Sequence, residues 1–328
     1  MKAIDFSCKH DILIRHKDGT FTPMDEPYYE VTQIAPDTWQ IMSSGDYHYL
    51  VVGDEFGVSI DTGYGAGNLR EFLEKLCGKP VPWCINTHHH FDHSANNGYF
   101  DLVYMAEESV ELAAIPYPSF EGIEFPRDYP VQVVGDGDII PLKGREIEVF
   151  KIGDHTPGGI AILDRKQRLL FTGDEIMPGG KMLRGPVEKF ETDMGKLMAH
   201  RAEFDRVCGG PELLPGDTVD LFYEAARRIL AGEPSEPQPD EPPRGGPPRI
   251  ESPTGQKVYD CQHPHEEDVP GGPKRGGPDG PGGPGKPGGP GGHGGPRKPG
   301  GPGGPGGMIS YIYKGWRFAY PADRLREE

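Results

Sequence analysis

The sequence predicts an α+β protein in which two mixed β-sheets pack face to face and helices cover both outer faces. Three observations predict it. Short β-branched or aromatic runs form one series from Tyr29 to Ile60 and a second from Ile139 to Phe171. Apolar residues at helical spacing follow each series. Two further runs, joined at Lys314-Gly315, close the pattern. A sheet is apolar on one face and a helix along one stripe, and each must bury that surface against another layer. Strands then helices, twice over, therefore read as an αββα sandwich of two related halves.

Residues 1–28 are mixed and polar and read as an N-terminal extension. Tyr29 to Ile34, Thr38 to Met42, Tyr47 to Val52 and Gly57 to Ile60 alternate with turn residues such as Pro36-Asp37 and Gly45-Asp46, the pattern of an antiparallel meander. Leu69, Phe72, Leu73 and Leu76 fall at i, i+3, i+4 and i+7, which predicts a helix. A short buried strand over 81–86, a strand from Leu102 to Met105 and a short helix from Glu107 to Ala114 follow. The next stretch, 116–135, carries Pro116, Pro118, Pro126 and Pro130 among four aromatic residues. It is either a lid over a site or a surface excursion that packs on itself.

The second series runs through Ile139 to Leu142, Ile147 to Ile152, Gly159 to Leu163 and Leu169 to Phe171. Asp193 is expected to cap a helix containing Met194, Leu197, Met198 and Phe204. A loop from Cys208 to Asp217 leads to a helix over about Val219 to Ala231, with Phe222, Ala225, Ala226 and Ile229 on its buried face. These halves make one domain over residues 29–232. Residues 233–307 hold more than half of the chain's 36 Pro, and from Pro278 to Pro305 proline recurs every third residue except at His293. Asp279 and Arg297 break a collagen frame, so the segment reads as a solvated polyproline-like insertion. Residues 308–328 then return to the core as a hairpin.

The chemistry concentrates in Thr87-His88-His89-His90-Phe91-Asp92-His93, with spacing His-x-His-x-Asp-His. Side chains at i and i+2 of an extended strand end point the same way, so His88 and His90 converge on one point. Asp92 and His93, in the turn beyond, build a second. Neutral imidazole and carboxylate are ligands that first-row divalent metals prefer. His155, Asp61 and Asp174 each sit just past an apolar strand, in the same structural position as the first cluster. Cys261-Gln-His-Pro-His265 lies inside the low-complexity segment and is weaker evidence of a metal pair.

Composition narrows the partners. A formal net charge of −17 and a pI of about 5.1 argue against nucleic acid, whose phosphates an acidic chain repels. No run approaches the ~18 apolar residues of a membrane span. The first residues lack an apolar signal core, and the five Cys show no paired spacing, as expected of free thiols in a reducing compartment. The expectation is a cytoplasmic protein acting on a small molecule.

His88-x-His90-x-Asp92-His93, with Asp61 in Asp-Thr-Gly, His155 in His-Thr-Pro-Gly-Gly and Asp174 in Phe-Thr-Gly-Asp, resembles the motif set of the metallo-β-lactamase superfamily of metallohydrolases. The resemblance covers about residues 29–231 and the last hairpin. It implies one metal held by His88, His90 and His155, and another by Asp92 and His93, with Asp174 bridging. Asp61 would stand behind the ligands and orient the loop. Zinc is the implied cofactor, as one or two divalent ions, with iron or manganese an option at the second site. Two cations lower the pKa of a bridging water toward ~7, and Asp92 would orient that nucleophile and carry protons.

The departure is at the fifth motif, where the superfamily usually has His in a Pro-Gly-His context. Here Pro211 takes that place if aligned from the preceding helix, and Asp217 if aligned on Pro215-Gly216. Either Glu212 or Asp217 supplies a carboxylate in its stead, or neither reaches the metal and water fills the gap. The expected function is a metal-dependent hydrolase acting on an ester, lactone or thioester. Two alternatives stay open: an enzyme like the persulfide dioxygenases, with a single iron, and a non-catalytic metal-binding module with an altered second site.

Overall fold

The computed structural model describes residues 3–117, 120–237, 257–260 and 307–326. Its first half is a seven-stranded sheet. The meander forms its antiparallel part: β3 (Glu30–Ala35), β4 (Thr38–Ser43), β5 (Asp46–Val52) and β6 (Gly57–Ile60), after β1 (Ile12–Arg15) and β2 (Phe21–Pro23) have paired outside the sheet. Helix α1 (Leu69–Cys77) then crosses over. Asn68 caps it by accepting from Glu71 N, and Gly78 ends it in the left-handed region. The crossover makes the next strands parallel: β7 (Trp83–Ile85), then β8 (Leu102–Met105) beyond the short helix α2 (Phe91–Ser94), then β9 (Val131–Val133).

The second sheet has six strands. β10 (Ile139–Leu142), β11 (Arg145–Lys151), β12 (Ile160–Asp164) and β13 (Leu169–Phe171) are antiparallel neighbours. The chain leaves through β14 (Gly180–Met182) and α3 (Val187–Ala199), then re-enters with β15 (Arg206–Cys208), β16 (Leu213–Pro215) and α4 (Thr218–Leu230). β15 lies parallel to β13. β17 (Lys257–Asp260) runs parallel to β1, and β18 (Met308–Tyr313) and β19 (Trp316–Pro321) form the hairpin. β14 joins that hairpin as a parallel neighbour of β19.

Three apolar clusters correspond to the layers. Val51, Val58, Ile60 and Ile85 of the first sheet meet Ile147, Val149, Ile160 and Phe171 of the second in the central cluster. Outside the first sheet, Leu69 and Leu73 pack with Ile4, Phe6 and Ile14. Outside the second, α3 and α4 pack with Tyr311, Phe318 and Tyr320 of the hairpin. This is the αββα sandwich that the sequence predicts. A buried Arg145 pins the sheets together: it binds Asp164 on its own sheet, and the Asp37 and Val52 carbonyls and Thr38 Oγ1 on the other.

Several elements differ from the sequence reading. Asp193 does not start a helix; α3 begins at Val187, and Asp193 lies in its middle, paired with Lys189 and Lys196. Pro186 at the N-cap leaves no Ser, Thr, Asp or Asn there to mark the true start. Glu107 to Ala114 is one 3₁₀ turn, Glu107–Ser109, followed by turns. The long Pro-rich loop contains β9, and the Cys208 to Asp217 loop contains β16. The N-terminal extension contributes Ile4, Phe6, Ile14 and Met24 to the core. Inside the span read as a linker, Ser235 and Glu236 bond the hairpin, and β17 pairs with β1. The repeat from Pro278 to Pro305, His263 and His265 lie outside the described residues.

Candidate metal centre

Four polar turns gather where strands of both sheets end. Asp61 follows β6, Thr87 to His93 follow β7, His155 follows β11 and Asp174 follows β13. Ligand atoms of His88, His90, His155 and Asp174 all lie within 4.8 Å of one another, as do those of Asp92, His93 and Asp174. The two groups share Asp174. Its Oδ1 is 3.3 Å from His93 Nε2 and its Oδ2 is 3.5 Å from His155 Nε2. The structure thus brings together the six predicted ligands in the predicted two sets.

Asp61 sets the tautomers. Its carboxylate accepts from Thr87 N and Thr87 Oγ1, both at 2.7 Å, and lies 2.9 Å from His93 Nδ1. His93 therefore keeps a proton on Nδ1 and turns Nε2 toward Asp92 and Asp174. Because the Thr87 hydroxyl donates to Asp61, it accepts from His88 Nδ1 at 3.1 Å. That leaves the lone pair of His88 on Nε2, an atom that is buried without a hydrogen-bond partner among the described residues. A buried, unpartnered imidazole lone pair beside two more imidazoles and a carboxylate fits a divalent cation. Asp61 itself has φ 61°, a left-handed conformation rare outside glycine.

Burial sets the charge states. It pushes His90 down to about 3 and His155 down to about 2, and holds His88 well below the ordinary range, so all three stay neutral, the form that binds metal. His93 goes the other way: burial opposes its charge, but Asp174, Asp92 and Asp61 outweigh it. Burial, partly offset by His93 and reinforced by Asp174, pushes Asp92 up to about 6. Asp174 is held low by His93, His155 and His90 against its own burial.

The structure does not bring Asp217 or Glu212 to either group. Both are exposed; Asp217 stands at the N-cap of α4, facing a groove with Met198, Tyr223 and Trp316. Two residues before Pro211 the chain passes too close for a side chain: a Cβ on Gly209 would sit 2.2 Å from Ile176 O. Next along, the Gly210 carbonyl accepts from Gln40 Nε2 at 2.8 Å.

Other residues at the site carry no motif. Tyr117, from the Pro-rich loop, donates to Asp92 Oδ1 at 2.9 Å, while Phe120 and Phe125 bury themselves around Phe91. His48 is fully buried and, among the described residues, both its ring nitrogens lack a hydrogen-bond partner, as does the buried Oδ2 of Asp46 two residues before it. Period-2 alternation puts both on one face of β5, which is the only local signal for them. Arg184 is exposed, and its charge disfavours protonation of His89, His90 and His155.

A model of the metallo-β-lactamase superfamily matches residues 47–236. The chain belongs to this superfamily. Acyl-coenzyme A thioesterase MBLAC2 of Homo sapiens is 29% identical over 163 residues, a match covering 40% of this chain and 58% of that protein. Hydroxyacylglutathione hydrolase of Chromohalobacter salexigens is 32% identical over 194 residues, covering 56% of this chain and 64% of that protein. The chain thus spans under two thirds of the length of these relatives. A metallo-β-lactamase from Pontibacter korlensis superposes with a TM-score of 0.48 at 19% identity, over 61% of this chain and 99% of that one.

Proposed function

We propose that the protein is a metal-dependent hydrolase of thioesters of small anionic thiols, with zinc held by His88, His90 and His155. The observation that carries this reading is the unpartnered His88 Nε2, among ligand atoms that all lie within 4.8 Å of one another. The relatives named above supply the substrate class. An acyl-coenzyme A and an acylglutathione share one reacting group, an acyl carbon on sulfur.

A bound divalent metal would act as a Lewis acid that polarises the carbonyl and lowers the pKa of water. The chain's own residues do the rest. Asp92, His93 and Asp174 form the second ligand set, with Asp61 fixing the His93 proton on Nδ1 and Tyr117 fixing Asp92 Oδ1. The leaving thiol, taken at the cysteine value of ~8.5, departs as thiolate without a strong proton donor. Arg184, whose guanidinium has no ion-pair partner among the described residues, offers one cation beside the imidazoles in a chain of net charge −17. It would receive the anionic end of the thiol carrier.

A cytoplasmic setting accords with the free Cys8, Cys77, Cys84 and Cys208, and no helix among the described residues is long and apolar enough to cross a membrane. The test is elemental analysis of freshly purified protein, followed by assay on acyl-coenzyme A, acylglutathione, lactone, phosphodiester and persulfide substrates. Thioester turnover that is lost on chelation and in His90→Ala, and restored to wild type by zinc, is the expected result. Full activity in metal-free protein would overturn the reading.

A further inference from the structure

Beside each of the two metal-facing turns stands a carboxylate with no place in the ligand sets. Asp154 precedes His155, and Glu175 follows Asp174. Both side chains are almost fully enclosed, at 2% and 3% exposure, and between them lies the ammonium of Lys181, at 4%. Lys181 Nζ is 2.8 Å from Glu175 Oε1 and 3.4 Å from Asp154 Oδ2. Each carboxylate has a second task on the backbone. Glu175 Oε2 accepts from His155 N at 2.8 Å. Asp154 Oδ1 accepts from Gly185 N at 3.0 Å and from Arg184 N at 3.2 Å.

Lys181 reaches this position because β14 is docked on the hairpin. It lies opposite Phe318 in the parallel pair with β19. The approach is closest one residue earlier, where a Cβ on Gly180 would sit 1.8 Å from Arg317 O, so only glycine serves there. Buried carboxylates without a counter-charge are strongly unfavourable. One lysine offsets one of the two negative charges, and without it Glu175 Oε1 has no partner among the described residues.

We propose that Lys181 is a positioning residue for the metal centre. It clamps Glu175 and Asp154, Glu175 in turn holds the backbone of His155, and the strand carrying the lysine ties both turns to the hairpin. The proposal rests on the metal reading above. Outer-shell partners of metal ligands typically change affinity 10–100-fold when mutated.

The experiment titrates zinc into chelated full-length protein against a chromophoric competitor, with thermal unfolding of the same metal-free samples in parallel. Lys181→Met should weaken the tighter zinc step by about 10–100-fold. In the double variant Lys181→Met/Glu175→Gln, the glutamine carbonyl still accepts from His155 N while one buried charge is gone. Most of the lost affinity should return there, and this variant carries the test if Lys181→Met alone does not fold. Wild-type zinc affinity in folded Lys181→Met would overturn the proposal. So would an equal affinity loss in both variants that tracks a lowered unfolding temperature, which makes the lysine a stability element only. Wild-type protein that takes up no zinc would instead refute the metal reading, and this inference with it.

Discussion

His93 Nδ1 and Asp61 Oδ2 lie 2.9 Å apart, with exposures of only 6% and 2%, and this bond decides which face of the imidazole meets the cluster. Asp61→Asn keeps the shape but leaves one acceptor atom for three donors, Thr87 N, Thr87 Oγ1 and His93 Nδ1. A buried donor left unpaired costs about 1–3 kcal/mol. Metal affinity should fall about 10–100-fold, as for other partners that orient a ligand. Metal titration with urea unfolding checks both effects, and unchanged affinity would remove Asp61 from the site.

Tyr117→Phe removes the donor to Asp92 Oδ1 and keeps the ring. A hydrogen bond to a charged group is worth about 1.5–3 kcal/mol. If half of that is expressed in the transition state, kcat drops about 3–10-fold. Metal content should stay at the wild-type level, which elemental analysis of the same preparation checks.

Arg184→Glu reverses the charge beside His90 and His155. KM for an anionic thioester should rise about tenfold with kcat little changed, the expected effect of losing uniform binding. The wild-type advantage should shrink with added salt, because the interacting groups are exposed. Equal KM values at low ionic strength would take Arg184 out of substrate recognition.

His48 gives a stability test. Burial, reinforced by His93, pushes its imidazole from 6.5 down to about 3. Between those values the unfolded chain takes the proton and the folded one does not, so stability rises with pH. The contribution is fully present above about pH 6.5 and is lost as the pH falls, by roughly 2 kcal/mol at pH 5. His48→Leu removes this titration. Urea unfolding at about pH 7.5 and pH 5 should show a smaller acid loss in the variant than in wild type; equal losses would assign acid sensitivity elsewhere.

The long periodic elements were legible because their information is local. α1 shows its stripe in Leu69, Phe72, Leu73 and Leu76, and the meander shows its turns. β14, β15 and β16 are three residues each, too short for any period to register. In the site, the six ligand-type side chains stand next to strand ends visible in the sequence, so their convergence could be expected. The hold of Lys181 on Glu175 and the burial of His48 arise through space. The sequence marks neither, and it offers Asp217 and Glu212 as substitutes although both side chains are exposed and Asp217 stands at the N-cap of α4.

The parallel pairing of β14 with β19 also bears on biosynthesis. At ~5–20 residues per second the ribosome delivers β19 on the order of ten seconds after β14. The meander, α1 and the turn carrying His88 to His93 can settle during that interval, but Lys181 has no docked strand to stand on and the His155 turn has no brace. Compaction of the nascent chain and full affinity for a cation are then separate events, and on the role proposed for Lys181 the second waits for the hairpin.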